Sequence, residues 1–145
     1  MIDSFFGEYR FLSNFYFSPF VYQEVKYNTV EHAFQAAKTL DPIEKHAILN
    51  ALTPGRVKRI ARDVTLRSDW EEIKLSVMER FVREKFTQNK DLLDRLIATG
   101  NEELVEGNTW KDTYWGICNG VGENHLGKIL MELRNRSAKG GGVDE

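Results

Sequence analysis

The segment YNTVEHAFQAAK, Tyr27–Lys38, sets a carboxylate, an amide and an amine at helical spacing. At about 100° per residue, Glu31, Gln35 and Lys38 fall within roughly 60° of one another on a helix. Such a row can perform acid–base chemistry or bind a polar substrate. The alternative is a capped, solvated helix start, in which Asn28 and Glu31 form a capping box and Lys38 complements the C-terminal end. The pattern alone leaves both interpretations open.

Two further carboxylates, Glu106 and Asp112, lie in polar segments beside apolar or aromatic residues. Such surroundings can raise the pKa of a carboxyl group and suit it to proton transfer. Asp112 belongs to TWKDTYWG, residues 109–116, where aromatic residues on a polar loop favour binding. The glycine-rich run that follows, residues 116–127, leads into a helix with Asn124 as its predicted cap. Free backbone N–H groups at that helix start can hold an anion, and the alternative is a flexible turn.

Basic residues crowd one short region of a chain whose formal net charge is -2. They are Arg56, Lys58, Arg59, Arg62 and Arg67. A solvated surface explains such a cluster, and a phosphate-binding patch beside a pocket is the functional alternative. The net charge gives no general attraction to nucleic acid or to an anionic membrane, so any phosphate recognition must be local.

Other chemistries have less support in the sequence. The three histidines are far apart and not at ligand spacing, and Cys118 has no cysteine partner, so we expect no metal site and no cofactor. There is no G-x-S-x-G element and no Walker loop. A single cysteine fits a reducing, cytoplasmic setting. No apolar run approaches the ~20 residues that cross a membrane, and the N-terminus lacks a signal-peptide pattern.

The elements that must position these residues are mostly helices. Residues 5–27 predict short strands and turns, including a hairpin over Phe20–Tyr27 with its tip at Gln23 and Glu24. Cap, proline and periodicity signals then predict helices. The first runs from near Thr29 to about Leu40, and further helices start at Asp41, Thr53, Ser68 and Asn124. One more covers residues 91–100 and is ended by Gly100. Residues 103–107, ELVEG, are strand-like.

The predicted fold class is therefore α+β, a mainly helical single domain with a small antiparallel sheet. The domain is expected to span residues 1–136. Residues 137–145, which are rich in glycine and poor in apolar residues, are expected to form a disordered tail.

Several segments together resemble the NADAR family, which is named for its association with NAD and ADP-ribose and includes N-glycosidases of riboflavin biosynthesis intermediates. In family order they are FLSNF (11–15), TVEHAFQAAK (29–38), LRSDWEEIKLSVMERFVREKF (66–86), LIATGNEELVEGNTWKDTYWG (96–116) and GENHLGKILMELR (122–134). The resemblance covers roughly residues 5–136. It departs at the hairpin tip, where many relatives carry a turn glycine and this chain has Gln23 and Glu24.

The resemblance implies the NADAR fold and hydrolysis of an N-glycosidic bond between ribose C1 and a base-like amine. The implied substrate is a ribosylaminopyrimidine phosphate of riboflavin biosynthesis, or ADP-ribosylated guanine in nucleic acid, whose release opposes ADP-ribosyltransferase toxins. The resemblance marks Glu31 and Asp112 as functional carboxylates and Trp70 as a functional aromatic residue. Matches to further motif positions mark as pocket residues Asn14, Gln35, Lys38, Trp115, Gly116 and Asn124.

The chemistry of this reaction assigns roles to these residues as hypotheses. Glu31 and Asp112 would share stabilisation of an oxocarbenium-like ribose and activation of water, while Trp70 or Trp115 stacks on the base. Lys38 would bind phosphate or attack ring-opened ribose C1 as an amine. The attack needs a lowered pKa, which a neighbouring Glu31 opposes unless burial dominates, so the binding role is preferred.

Two other function classes remain alternatives. A non-catalytic module would hold ADP-ribose or a nucleotide without cleaving it, using the same aromatic and basic residues. The presence of both carboxylates favours an enzyme over such a module. A purely structural helical domain would leave the aromatic residues of TWKDTYWG unexplained.

Overall fold

The computed structural model describes residues 1–140, which divide into two compact units. The first unit is Asn14–Gln88. The second joins Met1–Ser13 to the chain from Asn89 onward.

The first unit begins with the predicted hairpin. Strands β1, Phe20–Tyr22, and β2, Val25–Tyr27, pair antiparallel with Phe20 opposite Tyr27. Gln23 and Glu24 form the tip with φ of 51° and 68°. A two-residue hairpin turn of type I′ needs positive φ at both positions, and this chain adopts it without the usual glycine.

Four helices complete the first unit. They are α1, Val30–Ala36; α2, Pro42–Leu49; α3, Pro54–Ala61; and α4, Trp70–Gln88. Asp41 caps α2 by accepting a hydrogen bond from the Ile43 backbone N–H at 2.8 Å, and Thr53 caps α3 in the same manner through the Arg56 N–H. Both cap predictions are confirmed, each with a proline in the first turn.

The start of α1 differs from the prediction. Thr29, not Asn28, is the N-cap, and its hydroxyl accepts a hydrogen bond from the His32 backbone N–H at 3.0 Å. The capping box between Asn28 and Glu31 is therefore wrong. The helix also ends at Ala36 rather than near Leu40, because the next N–H groups, those of residues 38 and 39, bond three residues back in a tighter turn.

The first unit has two zones of packing. Small residues let α1, α2 and α3 approach closely, since Ala36, Ala51 and Ala61 share one cluster with Ile48 and Val57. The hairpin packs on α4 through aromatic rings: the Phe81 ring lies 5.3 Å from that of Tyr22 and 6.0 Å from that of Phe20, measured between centroids.

Helix α4 begins at Trp70, two residues after the predicted cap Ser68. Its buried side chains are Trp70, Met78, Phe81, Val82, Lys85 and Phe86. At helical spacing Trp70, Ile73, Val77 and Phe81 fall on one apolar stripe, but Ile73 and Val77 are only half-buried. The buried side of α4 includes a lysine instead.

The second unit contains a short 3-10 helix, Gly7–Leu12, and two α-helices. Helix α5, Lys90–Ala98, is stopped by Gly100 just after its C-cap Thr99, and the φ of 66° at Gly100 confirms the predicted stop. Strand β3, Gly107–Asn108, pairs parallel with β4, Ile117–Cys118. The predicted strand over residues 103–107 is shorter than expected, with a single bridge from Leu104 to Ile2 before β3.

Helix α6, His125–Gly140, extends past the predicted domain end. Within it the Ser137 hydroxyl donates to the Leu133 carbonyl at 2.8 Å. The expected disorder is therefore wrong for residues 137–140, while residues 141–145 lie outside the described part of the chain. The predicted class, mainly helical α+β with a small antiparallel sheet, is confirmed. Over residues 1–140, no helix combines the length and apolar character needed to cross a bilayer.

Candidate active site

The predicted site residues fall into two groups, one in each unit. The helix group, in the first unit, comprises Asn14, Glu31, Gln35, Lys38 and Trp70. The loop group, in the second unit, comprises Asp112, Trp115, Gly116 and Asn124.

Glu31 and Gln35 form the buried centre of the helix group. Their exposed fractions are 7% and 6%, and Gln35 Nε2 donates to Glu31 Oε2 at 2.7 Å. The Glu31 backbone N–H donates to the Asn14 carbonyl at 3.1 Å, and the Asn14 amide donates to the Met78 sulfur at 3.5 Å. Because Thr29 rather than Asn28 caps the helix, the Glu31 carboxylate is not part of a capping box and accepts from Gln35 one turn later.

The oxygen of the Gln35 amide has a different environment from the nitrogen. Among the described residues, Gln35 Oε1 is the buried side-chain oxygen or nitrogen without a hydrogen-bond partner. Leaving a buried acceptor unsatisfied costs about 1–3 kcal/mol. An acceptor kept in this state beside a buried carboxylate is suited to receive a hydrogen bond from a bound hydroxyl or amine.

Lys38 lies just after α1 and is half-buried. Its Nζ is 5.8 Å from the centre of the Phe34 ring and 6.0 Å from that of the Trp70 ring. Burial lowers the pKa of Lys38, and the like charges of Lys58 and Lys74 add to this, while Glu31 opposes it. The effect of burial on the pKa of Lys38 therefore outweighs the effect of Glu31. A nucleophilic role for the amine requires this lowered pKa.

Trp70 is 4% exposed, and its ring centre lies 5.0 Å from that of Phe34. The two rings form an aromatic wall beside the Lys38 amine. A ring packed in this way presents little surface to a base, so its placement favours support of Lys38 over stacking.

Lys85 was not found by the sequence reasoning. It is 1% exposed on α4, with Nζ 5.0 Å from the Phe86 ring centre and 5.8 Å from that of Tyr16. Burial lowers the pKa of Lys85 to about 7. The signal was present in the sequence, because Lys85 follows Phe81 by four residues and therefore lies on the apolar stripe.

In the loop group, Asp112 organises the local backbone. Its Oδ1 accepts hydrogen bonds from the backbone N–H groups of Tyr114, at 3.1 Å, and Trp115, at 2.9 Å. The Asn108 side chain in turn holds Asp112, accepting from its N–H at 3.0 Å and donating to its carbonyl at 2.9 Å. One carboxylate oxygen thus orders the turn, and Oδ2 is the oxygen that can serve a substrate.

Asn124 and Gly116 hold the loop group against the preceding segment. The Asn124 side chain accepts from the Glu106 N–H and donates to the Leu104 carbonyl, both at 3.0 Å. A Cβ on Gly116 would lie 2.0 Å from the Glu106 carbonyl oxygen, so only glycine permits this approach. Both residues position the backbone, and Asn124 does not use its side chain to cap α6.

The predicted anion site at the start of α6 is wrong. The backbone N–H groups of residues 123, 124, 125 and 126 donate to the carbonyls of residues 113, 116, 114 and 115, respectively, at 2.8–3.3 Å. The donors that would face an anion are already used by the loop. Beside them the Tyr114 ring packs 4.7 Å from Trp115 and 4.5 Å from His125, between ring centres.

Two other candidate features lie apart from these groups. A cleft of about 530 Å³ borders α5 and α6, and none of its lining residues belongs to the helix or loop group. Within residues 1–140, no three histidine, cysteine or carboxylate side chains are grouped so that they could hold a metal ion.

Comparisons with known proteins find a family match over most of the chain. The model of the NADAR domain matches residues 4–137, which run through both units. The N-glycosidase YbiA of Escherichia coli (strain K12) is 40% identical over 134 residues, covering 90% of this chain and 83% of the relative. An N-glycosidase of Nostoc punctiforme is 39% identical over 118 residues, covering 77% of this chain and 75% of the relative.

One further relative and one solved structure extend the comparison. A riboflavin biosynthesis protein of Vibrio vulnificus is 39% identical over 127 residues, with 86% of this chain and 34% of that protein covered. The NMR structure of the E. coli protein YbiA superposes with a TM-score of 0.84 at 37% identity, covering 95% of this chain and 87% of that one.

Proposed function

Since the chain belongs to the NADAR family and is a hydrolase acting on N-glycosyl compounds, we propose that it cleaves the bond between ribose C1 and a base-like amine. The helix group performs the chemistry. The observation that carries this assignment is the buried Glu31–Gln35 pair on α1, followed just after the helix by Lys38, whose pKa is lowered by burial.

Glu31 acts on the ribose carbon. Opening of the ribose ring leaves C1 as an imine that carries positive charge when it is protonated, and a carboxylate held in a water-poor site stabilises that charge strongly. Gln35 fixes one oxygen of Glu31 through the 2.7 Å hydrogen bond. Its own unsatisfied Oε1 accepts a hydrogen bond from a ribose hydroxyl.

Lys38 acts as the nucleophile in this proposal. Its amine adds to C1 of the ring-opened ribosylamine, forming a C–N bond. The bond from C1 to the base then breaks, and the base leaves with a proton as C1 becomes an imine of Lys38. Water adds to the imine and expels the lysine, releasing the sugar and restoring the free amine. A lowered pKa supports this route because it increases the neutral fraction of the amine.

Asp112 is the proposed second carboxylate. Its Oδ1 is engaged by two backbone N–H groups, so Oδ2 is the oxygen assigned to substrate or water. Trp115 and Asn14 are proposed pocket residues.

Two substrate classes are proposed for this reaction. Ribosylaminopyrimidine phosphates are favoured by the name of the Vibrio vulnificus relative, a riboflavin biosynthesis protein. ADP-ribosylated guanine in nucleic acid is the second candidate, favoured by the basic residues of α3. Side-by-side assays of base release from both substrates discriminate between them. Tight ADP-ribose binding without base release from either would instead indicate a non-catalytic binding module.

Glu31→Gln tests the carboxylate. Glutamine keeps the side-chain volume and an acceptor for Gln35 but removes the charge. The rate of base release should fall by about 10²–10⁴. Glu72→Gln, at an exposed position on α4, is the matched control and should keep the rate. Near-normal turnover of Glu31→Gln would refute the role of Glu31.

Borohydride trapping tests the covalent step. Reduction during turnover should add the ribosyl group to the peptide containing Lys38, detected by mass spectrometry. Lys38→Arg should lose both the adduct and the activity, while Lys74→Arg should keep the adduct because Lys74 is paired with Glu71 at 2.7 Å. An active Lys38→Arg enzyme with weaker substrate binding would show that Lys38 binds phosphate instead.

A further inference from the structure

Lys38 lies beyond the last residue of α1, so contacts outside the helix must fix its backbone. The helix ends at Ala36, and its C-cap is Ala37. The Lys38 N–H donates to the Gln35 carbonyl at 3.2 Å, and the Lys38 carbonyl accepts from the Arg67 backbone N–H at 2.8 Å. Arg67 belongs to the connection between α3 and α4. The position of the Lys38 amine therefore depends on how this connection is held.

The carboxylate of Glu44, on α2, joins the two chain segments that meet at Lys38. It accepts a hydrogen bond from the hydroxyl of Thr39, the residue after Lys38. It also accepts from Thr65, whose backbone N–H lies 3.0 Å from Oε1 and whose hydroxyl lies 3.1 Å from Oε2. Thr65 precedes Arg67 by two residues. Glu44, Thr39 and Thr65, here called the Glu44 clamp, thus close a ring of contacts around Lys38.

The clamp replaces a local role for Glu44 at the start of α2. A glutamate three residues after an N-cap can return to the backbone N–H of the cap in a capping box. Here the N–H of the cap, Asp41, donates to the Thr39 hydroxyl at 3.1 Å. Hydrogen bonds from Thr39 and then from Thr65 lower the pKa of Glu44, so its carboxylate is ionised at neutral pH. Glu44 therefore serves residues outside its own helix.

The next residue of α2 holds the chain on the other side of Lys38. Lys45 Nζ donates to the carbonyl of Ala36 at 3.0 Å. Ala36 precedes Lys38 by two residues, and Thr39 follows it by one. Thr39 is 0% exposed, so the hydroxyl that it presents to Glu44 is shielded from water. Two consecutive side chains of α2 thus fix the chain before and after the lysine.

We propose that Glu44 is a positioning residue for the reaction of Lys38. It acts through the backbone of residues 38 and 39 and not by contact with the substrate. The clamp sets where the Lys38 amine lies along the rings of Phe34 and Trp70, which are 5.8 Å and 6.0 Å from Nζ. A displacement of about 1 Å at a reacting group can cost about 100-fold in rate. This inference rests on the proposed glycosidase function with Lys38 as its nucleophile.

The kinetics of base release test the clamp. Glu44→Ala removes the acceptors of Thr39 and Thr65 and should lower kcat by about 10- to 100-fold, while KM stays close to that of the wild type. Glu44→Gln should restore most of kcat, because its oxygen can accept from the Thr39 hydroxyl and the Thr65 N–H. Glu72→Ala, the same change in the first turn of α4, should keep both constants. Thr53→Ala removes the cap of α3 and controls for a loss of stability.

An NMR titration of the Lys38 side chain gives a second test that does not require activity. Because burial is the main cause that lowers the pKa of Lys38, release of the clamp in Glu44→Ala should raise this pKa towards its ordinary value. Loss of the Glu44 charge alone would lower the pKa, since a carboxylate favours the protonated amine. The sign of the shift therefore separates a loss of position from a loss of charge. The other charged groups that act on the amine are the same in both proteins: Glu31, Glu71, Lys58 and Lys74.

Three results would overturn the proposal. One is a Lys38 pKa in Glu44→Ala that is unchanged or lowered. Another is a raised KM with an unchanged kcat, which would mean that the clamp serves substrate binding alone. The third is an equal fall of kcat in Thr53→Ala, which would trace the effect to stability. If the wild type releases no base, the proposed function fails, and the NMR titration still decides whether Glu44 positions Lys38.

Discussion

Lys85 makes the stability of the protein depend on pH in a calculable way. The pKa of Lys85 is lowered from 10.5 to about 7 by its burial on α4. Between these values the unfolded chain binds a proton that the folded protein does not. Stability therefore rises with pH in this window, by at most about 1.4 kcal/mol per pH unit. Below about pH 7 the amine is protonated in both states, so Lys85 adds no slope there.

The variant Lys85→Met removes this effect while keeping a long, unbranched side chain among the same rings. From about pH 7 to about pH 9 the wild type should gain about 2 kcal/mol of unfolding free energy relative to the variant. Urea unfolding of both proteins across this range measures the difference. The pKa values of Lys38 and Lys45 are also lowered by burial, but both residues are present in both proteins and their effects cancel.

A second comparison identifies the source of the slope. Lys90→Met changes an exposed, ion-paired lysine at the start of α5 and should leave the slope attributed to Lys85 unchanged. A difference between wild type and Lys85→Met that stays flat across this range would refute the reasoning. It would mean that the folded protein keeps Lys85 protonated despite its burial.

Three further substitutions test the supporting structure. Thr29→Ala removes the acceptor for the His32 N–H and should cost about 1 kcal/mol in urea unfolding, while Thr29→Ser should restore most of it. Asp112→Asn keeps an oxygen for the backbone N–H groups but loses the charge. A fall in the rate of base release without loss of stability would support a catalytic role for Asp112, and an unchanged rate would leave Asp112 a structural role. Gly116→Ala places a Cβ 2.0 Å from the Glu106 oxygen and should destabilise by about 1–3 kcal/mol, and an unchanged melting temperature would contradict the close approach.

Local chemistry predicted most of the helix starts and the hairpin. Asp41 and Thr53 cap their helices because their side chains accept a backbone N–H of the first turn, and the proline that follows each suits the first helical position; both signals act within one turn. The start of α1 was missed because Asn28 and Thr29 are both good caps in sequence. Thr29 is preferred in the folded chain, where its hydroxyl also contacts the His32 ring at 2.8 Å, and the other ring nitrogen lies 3.0 Å from the Ala51 carbonyl.

Helical spacing predicted that Glu31 and Gln35 would share a face, and their hydrogen bond confirms it. The direction of the Lys38 pKa shift was beyond sequence reasoning, because it depends on how much burial opposes Glu31. The anion site failed for a similar reason. Its donors are satisfied by carbonyls about ten residues earlier, through a loop whose path includes positive φ at Asn119 and Asn124.

The backbone N–H groups of residues 123–126 donate to the carbonyls of residues 113–116 and so close this segment into a hydrogen-bonded loop, called the closure here. The closure has a consequence for protein engineering. The backbone of this segment is satisfied by itself and by the first turn of α6, so a graft into another scaffold must include both parts. Residues 109–111 lie outside the closure and are exposed, among them Trp110. Libraries aimed at new substrates should therefore diversify these three side chains and leave the closed backbone intact.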